Sequence, residues 1–516
     1  MCGITLLLNV SYNSFALRHR GPDDHNEVHV LGHTLVFDRL SINDLTDNGR
    51  QPFCTNDIWF MCNGEIYNHK ILKQLHDIRN TQGESDCEVV HHMLVKNQFI
   101  NLTKDFQELD GDFSLIVVSP NHTIAARDPM GVRPLYVAYN KNDSVIGFAS
   151  EAKSFLNAPI DVHVVKPFPP GYYWINNTFV SYQPLSLYKP IHQMHTDVNI
   201  IQDKIKGLLY NSVYKRIQNS ERSVAFFLSG GLDSSIIASI ASKILQPNKI
   251  DTYSIGTPGS PDLIAAQQVA DHIQSNHHVI EMMPEEMYKY VYNTINHIES
   301  YDCTTVRASV PMFILSEYIS KHTNHKVVLS GEGADELFGG YLYFHHAPDD
   351  KEFQKETLRL LQNVHMYDVL RADRCTSAHG LELRVPFFDK YFVEYVISID
   401  PSLKTSKGRI EKKLLRDSFA DHLPATIIHR QKNGMSDAVG YDWVDYIKSH
   451  ANPVIHNKLT YIKNTPISDE ELYYREIFES MYGRIQLESI SDVWRPQWTT
   501  ELDPSARKLS TFLDSA

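Results

Sequence analysis

No stretch of this 516-residue sequence is apolar for long enough to cross a bilayer. It has no basic excess either: 49 lysines and arginines stand against 62 aspartates and glutamates, a formal net charge of -13. Such a balance excludes electrostatic binding of a nucleic acid or an anionic membrane, so any anionic ligand must be held by local groups. Cysteine is scarce and scattered (Cys2, Cys54, Cys62, Cys87, Cys303, Cys375), with no Cys-x-x-Cys pair, so no disulfide framework is expected. The 26 histidines show no His-Glu-x-x-His or paired Cys/His spacing. Adjacent ones such as His91-His92 point to different sides of a helix and are read as surface residues. The opening Met1-Cys2-Gly3-Ile4 carries no basic residue ahead of its short apolar run, which argues against a secretory signal and for a reduced, cytoplasmic enzyme.

What is there is the profile of a soluble globular protein, 42% hydrophobic and 22% charged, and too long for one ordinary core. Short apolar runs at 34–37, 58–62, 113–118 and 144–149 are separated by Gly, Asn and Asp, which predicts antiparallel sheets. Helical periodicity in that half is limited to stretches such as 69–76 and 84–95. Beyond about residue 200, strands at 224–228, 251–255 and 326–329 alternate with helices at 234–245, 261–273 and 308–322, the pattern of a parallel α/β sheet. Residues 186–203, polar and containing Pro190, are the expected linker between a domain at 2–185 and one at 204–516.

Cys2 directly follows the initiator methionine. Removal of Met1 would leave a thiol and a free α-amine on one residue, and an amine titrating near ~8 can take the thiol proton. Four further motifs follow in order: His19-Arg20-Gly21-Pro22-Asp23, Arg39-Leu40-Ser41-Ile42, Asn63-Gly64-Glu65-Ile66-Tyr67-Asn68 and Ser85-Asp86-Cys87-Glu88. With Cys2 they make residues 2–180 resemble the class II glutamine amidotransferases, N-terminal-nucleophile hydrolases with a four-layer αββα fold. Glutamine is zwitterionic and needs one cation and one anion: Arg39 suits its α-carboxylate, and Asp86, helped by Glu65, its α-ammonium. The resemblance implies that Asn63 and the Gly64 N–H meet the oxyanion, and that Leu40, Ser41, Ile42 and Asn43 complete the glutamine pocket.

A second site opens after the strand at 224–228. Ser229-Gly230-Gly231-Leu232-Asp233-Ser234-Ser235 joins a strand to a helix start, an anion cradle in which Gly230 and Gly231 let backbone N–H groups face phosphate and the three serines offer hydroxyls. The loop has no lysine, so it is not the ordinary P-loop, and Mg²⁺ on Asp233 is expected to neutralise the pyrophosphate. It resembles the loop of the N-type ATP pyrophosphatases. Ser330-Gly331-Glu332-Gly333-Ala334-Asp335-Glu336 follows another strand. Asp335 joins Asp233 on the metal, Glu332 is assigned to the reacting aspartyl–adenylate region, and Ser330, Gly331, Leu228 and Ile255 face the nucleotide at strand ends.

Tyr301-Asp302-Cys303-Thr304-Thr305-Val306-Arg307, Leu370-Arg371-Ala372-Asp373-Arg374, His379-Gly380-Leu381-Glu382-Leu383-Arg384 and Asp503-Pro504-Ser505-Ala506-Arg507 narrow the likeness to asparagine synthetases over nearly the whole chain. Within it, Thr305 and Arg307 would hold aspartate or phosphate oxygens, and Lys432 would be the cation of the adenylation transition state. The implied substrates are L-glutamine, L-aspartate and ATP, with no nucleic-acid or membrane partner; a homodimer stays open. Three features differ from that family's pattern. The stretch between Cys2 and His19 is short, Ala334 stands where serine is common, and Asn433 and Ala438 replace a glutamate and a glycine. Two other readings stand beside this one: a β-lactam synthetase-like ligase, which Cys2 with Arg39 and Asp86 argues against, and a non-catalytic glutamine and ATP sensor, which intact Cys2, Asp233 and Glu332 argue against.

Overall fold

Period-2 alternation builds the first half of the chain. The computed structural model describes residues 1–10, 17–156, 158, 160–183, 197–431, 439–452, 463–483, 489–501 and 503. The first strands are β1 (Gly3–Leu7), β2 (Asp24–Val30), β3 (His33–Arg39), β4 (Phe53–Thr55), β5 (Ile58–Ile66), β6 (Gly111–Val118), β7 (Thr123–Arg127), β8 (Tyr136–Tyr139), β9 (Val145–Ala149), β10 (Val164–Pro167), β11 (Tyr172–Ile175) and β12 (Thr178–Ser181). Among the described residues they form two six-stranded antiparallel sheets, in the orders β10-β8-β9-β1-β3-β2 and β12-β11-β7-β6-β5-β4.

Side chains of successive residues face opposite ways and so set the layers. Val137 of β8 points between the sheets with Ile4, Leu6, Phe37, Met61, Ile116, Phe148 and Trp174. Cys62, Leu115 and Val117 face outward from the second sheet. There they meet Leu72 of α1 (His69–Leu75), Val90 and Met93 of α2 (Asp86–Lys96), and Phe106 of α3 (Leu102–Glu108). The outer face of the first sheet, with Tyr136 and Ala138, is covered by the second half of the chain and shares its core. The αββα stack is thus closed by the other domain: Arg374 lays its guanidinium over the Tyr136 ring, 5.4 Å from the centroid.

The second half opens with α4 (Val198–Gln218), which begins inside the expected linker. Asp197 caps it by accepting the Asn199 N–H, and Ile201, Ile205, Leu209 and Val213 form a buried stripe at four-residue spacing. Each such side chain contributes about 1.5–3 kcal/mol, enough to extend the helix into a polar segment. Then come β13 (Val224–Phe227), α5 (Leu232–Leu245), β14 (Asp251–Gly256), α6 (Pro261–Ile273), β15 (Asn276–Glu281), α7 (Cys303–His322), β16 (Val327–Leu329), α8 (Ala334–Phe338), α9 (Asp368–Ser377), β17 (Glu382–Arg384) and, further on, α10 (Asp469–Tyr482). The five strands form a parallel sheet in the order β15-β14-β13-β16-β17. From β13 the chain winds outward to β15, then returns to add β16 on the other side. The gap beyond the C-terminal ends of β13 and β16 is therefore the topological switch point, where α/β sheets bind ligands.

One reading of the histidines is corrected. His91 is 1% exposed, its Nε2 lies 3.0 Å from the Thr55 Oγ1, and burial pushes its pKa down to about 4. It is a core residue under Phe53 and Phe60, not a surface one.

Candidate active sites

The N-terminal residue is fully buried. Its amine donates to the Leu381 carbonyl at 3.2 Å, and its sulfur lies against Arg20 and Arg133. Burial pushes that amine down to about 5. Beside it, the Cys2 thiol is pushed up to about 11 by burial, so it is a neutral thiol near neutral pH. The Leu40 backbone brackets the sulfur, with its N–H at 3.4 Å and its carbonyl at 3.7 Å. Arg20 fixes the chain from below: its Nε donates to the Cys2 carbonyl at 2.9 Å, and its Nη1 reaches Glu151 and Asp373, both at 2.9 Å.

Asn63, on β5, is 1% exposed, and its Nδ2 has no hydrogen-bond partner among the described residues. A buried donor left unpaired costs about 1–3 kcal/mol, which an oxyanion would return. Position 64 admits no Cβ, which would meet the Asp112 carbonyl of β6 at 2.3 Å. Arg39 is held by the loop after β3, donating through Nη1 to the Thr46 carbonyl at 2.8 Å and through Nη2 to the Asp44 carbonyl. Asp86, at the start of α2, accepts the Ile66 N–H at 2.6 Å. Burial holds its carboxyl above the usual range, and burial with Asp86 nearby holds Glu65 well above it. Glu65 has partners in both halves of the chain. Its Oε2 accepts from Asn43 and Asn219, both at 2.6 Å, and lies 3.2 Å from Arg384. Ser41 and Ile42 are also tied to the second half through their carbonyls, which accept from the Arg222 Nε and the Glu221 N–H.

At the switch point the two glycine-rich loops meet. A Cβ on Gly331 would lie 2.6 Å from the Ser234 nitrogen, so only glycine permits the approach. One pocket collects Ser229, Gly231, Asp233 and Ser234 from the first loop and Ser330, Gly331, Glu332 and Asp335 from the second. Thr305 lines it from the first turn of α7, its N–H and hydroxyl both donating to Asp302. Leu228 and Ile255 line an adjoining apolar slot with Tyr253, Pro311, Met312, Leu315 and Val439. Not every expected residue faces these spaces. Ser235 is fully buried and donates to the Gly231 carbonyl at 2.6 Å, while the Gly230 carbonyl accepts from Arg430 at 3.0 Å. Arg307, expected to hold aspartate or phosphate oxygens, has its guanidinium on Glu470 of α10 at 2.6 and 2.7 Å and on Asp503 at 3.1 Å, and is not among the residues lining this pocket. Lys432, Asn433 and Ala438 lie outside the described residues.

Residues without an expected role also line this pocket, Lys412, Arg371 and Asp368 among them. Lys412, its side chain fully buried, places its ammonium 2.8 and 2.7 Å from the Asp233 oxygens and 2.7 Å from Asp335. The loop that lacks a lysine in sequence receives one from 179 residues further along the chain. Lys412 also has φ +57°, a left-handed backbone that a lysine adopts only at a cost of about 1–3 kcal/mol, a strain typical of functional sites. Arg371 of α9 donates to Glu332 at 3.0 Å and to Asp368 at 2.7 Å. Arg371 came within a segment read only as a family likeness, Leu370–Arg374, and Asp368 lies two residues ahead of it, with no turn or glycine to single either out.

Mg²⁺ takes one or two carboxylates plus substrate phosphates and water, so Asp233 and Asp335 meet its requirement. Among the described residues no group of three or more His, Cys, Asp or Glu side chains surrounds a common point. The ion would have to complete its shell from the nucleotide.

Comparison with known proteins agrees with this division of labour. The family model described as asparagine synthase matches residues 204–353 and 346–510, and the one described as a glutamine amidotransferase domain matches residues 1–208. Asparagine synthetase [glutamine-hydrolyzing] 2 of Oryza sativa subsp. japonica is 37% identical, the match covering 100% of this chain and 94% of that one. A probable glutamine-hydrolysing asparagine synthetase of Acanthamoeba polyphaga mimivirus is 38% identical over 95% of this chain and 94% of that one. A probable one of Dictyostelium discoideum is 37% identical over the whole of both chains.

Proposed function

From the premise that this chain belongs to the glutamine-hydrolysing asparagine synthetases, we propose how its two sites divide the reaction. The enzyme uses ATP to convert L-aspartate to L-asparagine, taking nitrogen from L-glutamine. Asn63 carries the reading of the first site, as a buried amide donor with no partner among the described residues. The Cys2 thiol attacks the glutamine side-chain amide, Asn63 and the Gly64 N–H receive the oxyanion, and ammonia leaves a thioester that water opens to glutamate. Arg39 binds the α-carboxylate, and the raised carboxyls of Asp86 and Glu65 gain from a nearby α-ammonium. With Met1 in place the thiol is neutral and its own nitrogen is an amide, so Met1 must go. A variant with any residue retained ahead of Cys2 is expected to lose glutaminase activity, and intact mass of the active protein should lack the Met1 mass. Full activity from an N-terminally extended chain would contradict the amine's role as base.

In the second site ATP adenylates the aspartate side chain. The apolar slot of Leu228 and Ile255 suits the base, and the serine loop suits the phosphates. Asp233 and Asp335 would hold Mg²⁺, whose charge would favour departure of the pyrophosphate. Lys412 already compensates part of that carboxylate pair, and Lys432 is assigned to the α-phosphate. Arg371 and Asp368 offer one cation and one anion in the same pocket, the complement of an amino-acid headgroup, and set Glu332 beside the carboxylate to be activated. Ammonia from the first site then displaces AMP from β-aspartyl-AMP. Asp233→Asn and Asp335→Asn are each expected to stop pyrophosphate release whether glutamine or ammonium is the donor. Wild-type rates in either variant at limiting Mg²⁺ would refute the metal role. We assign the enzyme to the cytoplasm; among the described residues no helix is long and apolar enough to cross a membrane.

A further inference from the structure

The glutamine clamp is finished by the other domain. The short turn between α4 and β13 reaches across the interface and touches the glutamine pocket at three places. Asn219 donates to Glu65 at 2.6 Å, and Arg222 donates to the Ser41 carbonyl at 2.9 Å. Between them Glu221 brackets a second turn: its N–H donates to the Ile42 carbonyl at 3.2 Å, and its carboxylate accepts the Asp44 N–H at 2.7 Å. Asp44 is 5% exposed and has φ +53°, a left-handed conformation that a residue with a Cβ keeps only when its surroundings hold it. Its carbonyl in turn accepts from the Arg39 Nη2. Carbonyl direction follows the backbone dihedrals, so whatever fixes residue 44 also aims the guanidinium.

We propose that Glu221, a residue of the synthetase half, is a positioning residue of the glutamine site, acting through the Asp44 turn on Arg39. This rests on the reading of Arg39 as the ligand of the glutamine α-carboxylate. No core stands or falls with the Glu221 side chain, because the residue is exposed. Its removal leaves the Asp44 N–H unpaired in a nearly buried turn, and the turn relaxes toward a right-handed conformation that withdraws the carbonyl from Arg39.

The test measures steady-state kinetics of the full-length enzyme with glutamine and, separately, with ammonium. Glu221→Ala is expected to raise the glutamine KM by about 3- to 10-fold, the worth of one hydrogen bond, with kcat and ammonium-dependent synthesis unchanged. Glu221→Gln keeps an acceptor oxygen and should stay within about twofold of wild type. Arg39→Ala serves as the reference. If it leaves the glutamine KM unchanged, the clamp reading itself falls. If it raises KM while Glu221→Ala does not, only the positioning role is overturned. An equal loss with ammonium, or a Glu221→Gln as impaired as Glu221→Ala, also overturns it.

Discussion

Replacing Cys2 with alanine is expected to remove glutamine-dependent asparagine formation by at least about a thousandfold while ammonium-dependent formation stays within about twofold of wild type. The size of the first effect follows from the assignment of the nucleophile to the one sulfur that the Leu40 backbone brackets among the described residues. The second effect follows from topology. Cys2 precedes β1 of an antiparallel sheet, whereas the pocket we assign to adenylation lies at the ends of β13 and β16 in a separate parallel sheet. Alanine also costs little structure, since it keeps the Cys2 carbonyl on which Arg20 docks. Asparagine and pyrophosphate should be assayed with each nitrogen source at matched aspartate and ATP. Equal loss with both donors would mean that Cys2 serves the fold or the interface, and the assignment of chemistry to two sites would have to be abandoned.

How much of this was legible in sequence depends on how locally each signal is encoded. Helix α6 falls on 261–273 as read, because Ser260 caps it by accepting the Leu263 N–H and Pro261 sits in its first turn. The serine–glycine loop was equally plain, since strand, glycines and helix start are contiguous. Helix α7 starts five residues before the reading, at Cys303, because the capping bond from the Thr305 N–H to Asp302 hides within a motif read for chemistry. Long-range pairings carried no local mark. Arg307 sits beside Thr305 in sequence but is claimed by Glu470 and Asp503, 163 and 196 residues away. Glu65 was read as a glutamine-site acid from its motif, while its contacts with Asn219 and Arg384 exist only because the two halves dock. The one sequence clue to Lys412 was a deficit, a pyrophosphate loop with one carboxylate and no lysine, and that deficit was read as a need for Mg²⁺.

Lys412 gives the other large effect. Lys412→Met is expected to lower pyrophosphate release about 10²–10³-fold with either nitrogen donor, the cost of removing one preorganised charge from developing negative charge. The substitution keeps most of the side-chain volume, so the loss is electrostatic rather than a cavity. It also leaves Asp233 and Asp335 facing each other with side chains only 11% and 14% exposed, a destabilisation of about 3–5 kcal/mol when one partner of a buried pair is removed. Two roles for Lys412 must therefore be separated, holding the carboxylates apart from each other's charge and meeting the phosphates. Mg²⁺, which we assign to the same two carboxylates, could take the first role, but it could not supply a hydrogen-bond donor from the lysine's position. In Lys412→Met, millimolar-range Mg²⁺ should accordingly recover much of the thermal midpoint in a melting experiment without recovering pyrophosphate release. Basal glutamine hydrolysis, measured as glutamate, should persist. If Mg²⁺ restores rate and stability together, Lys412 is a structural counter-ion only, and the charge that stabilises the leaving pyrophosphate must be sought in Lys432 and Arg430 instead.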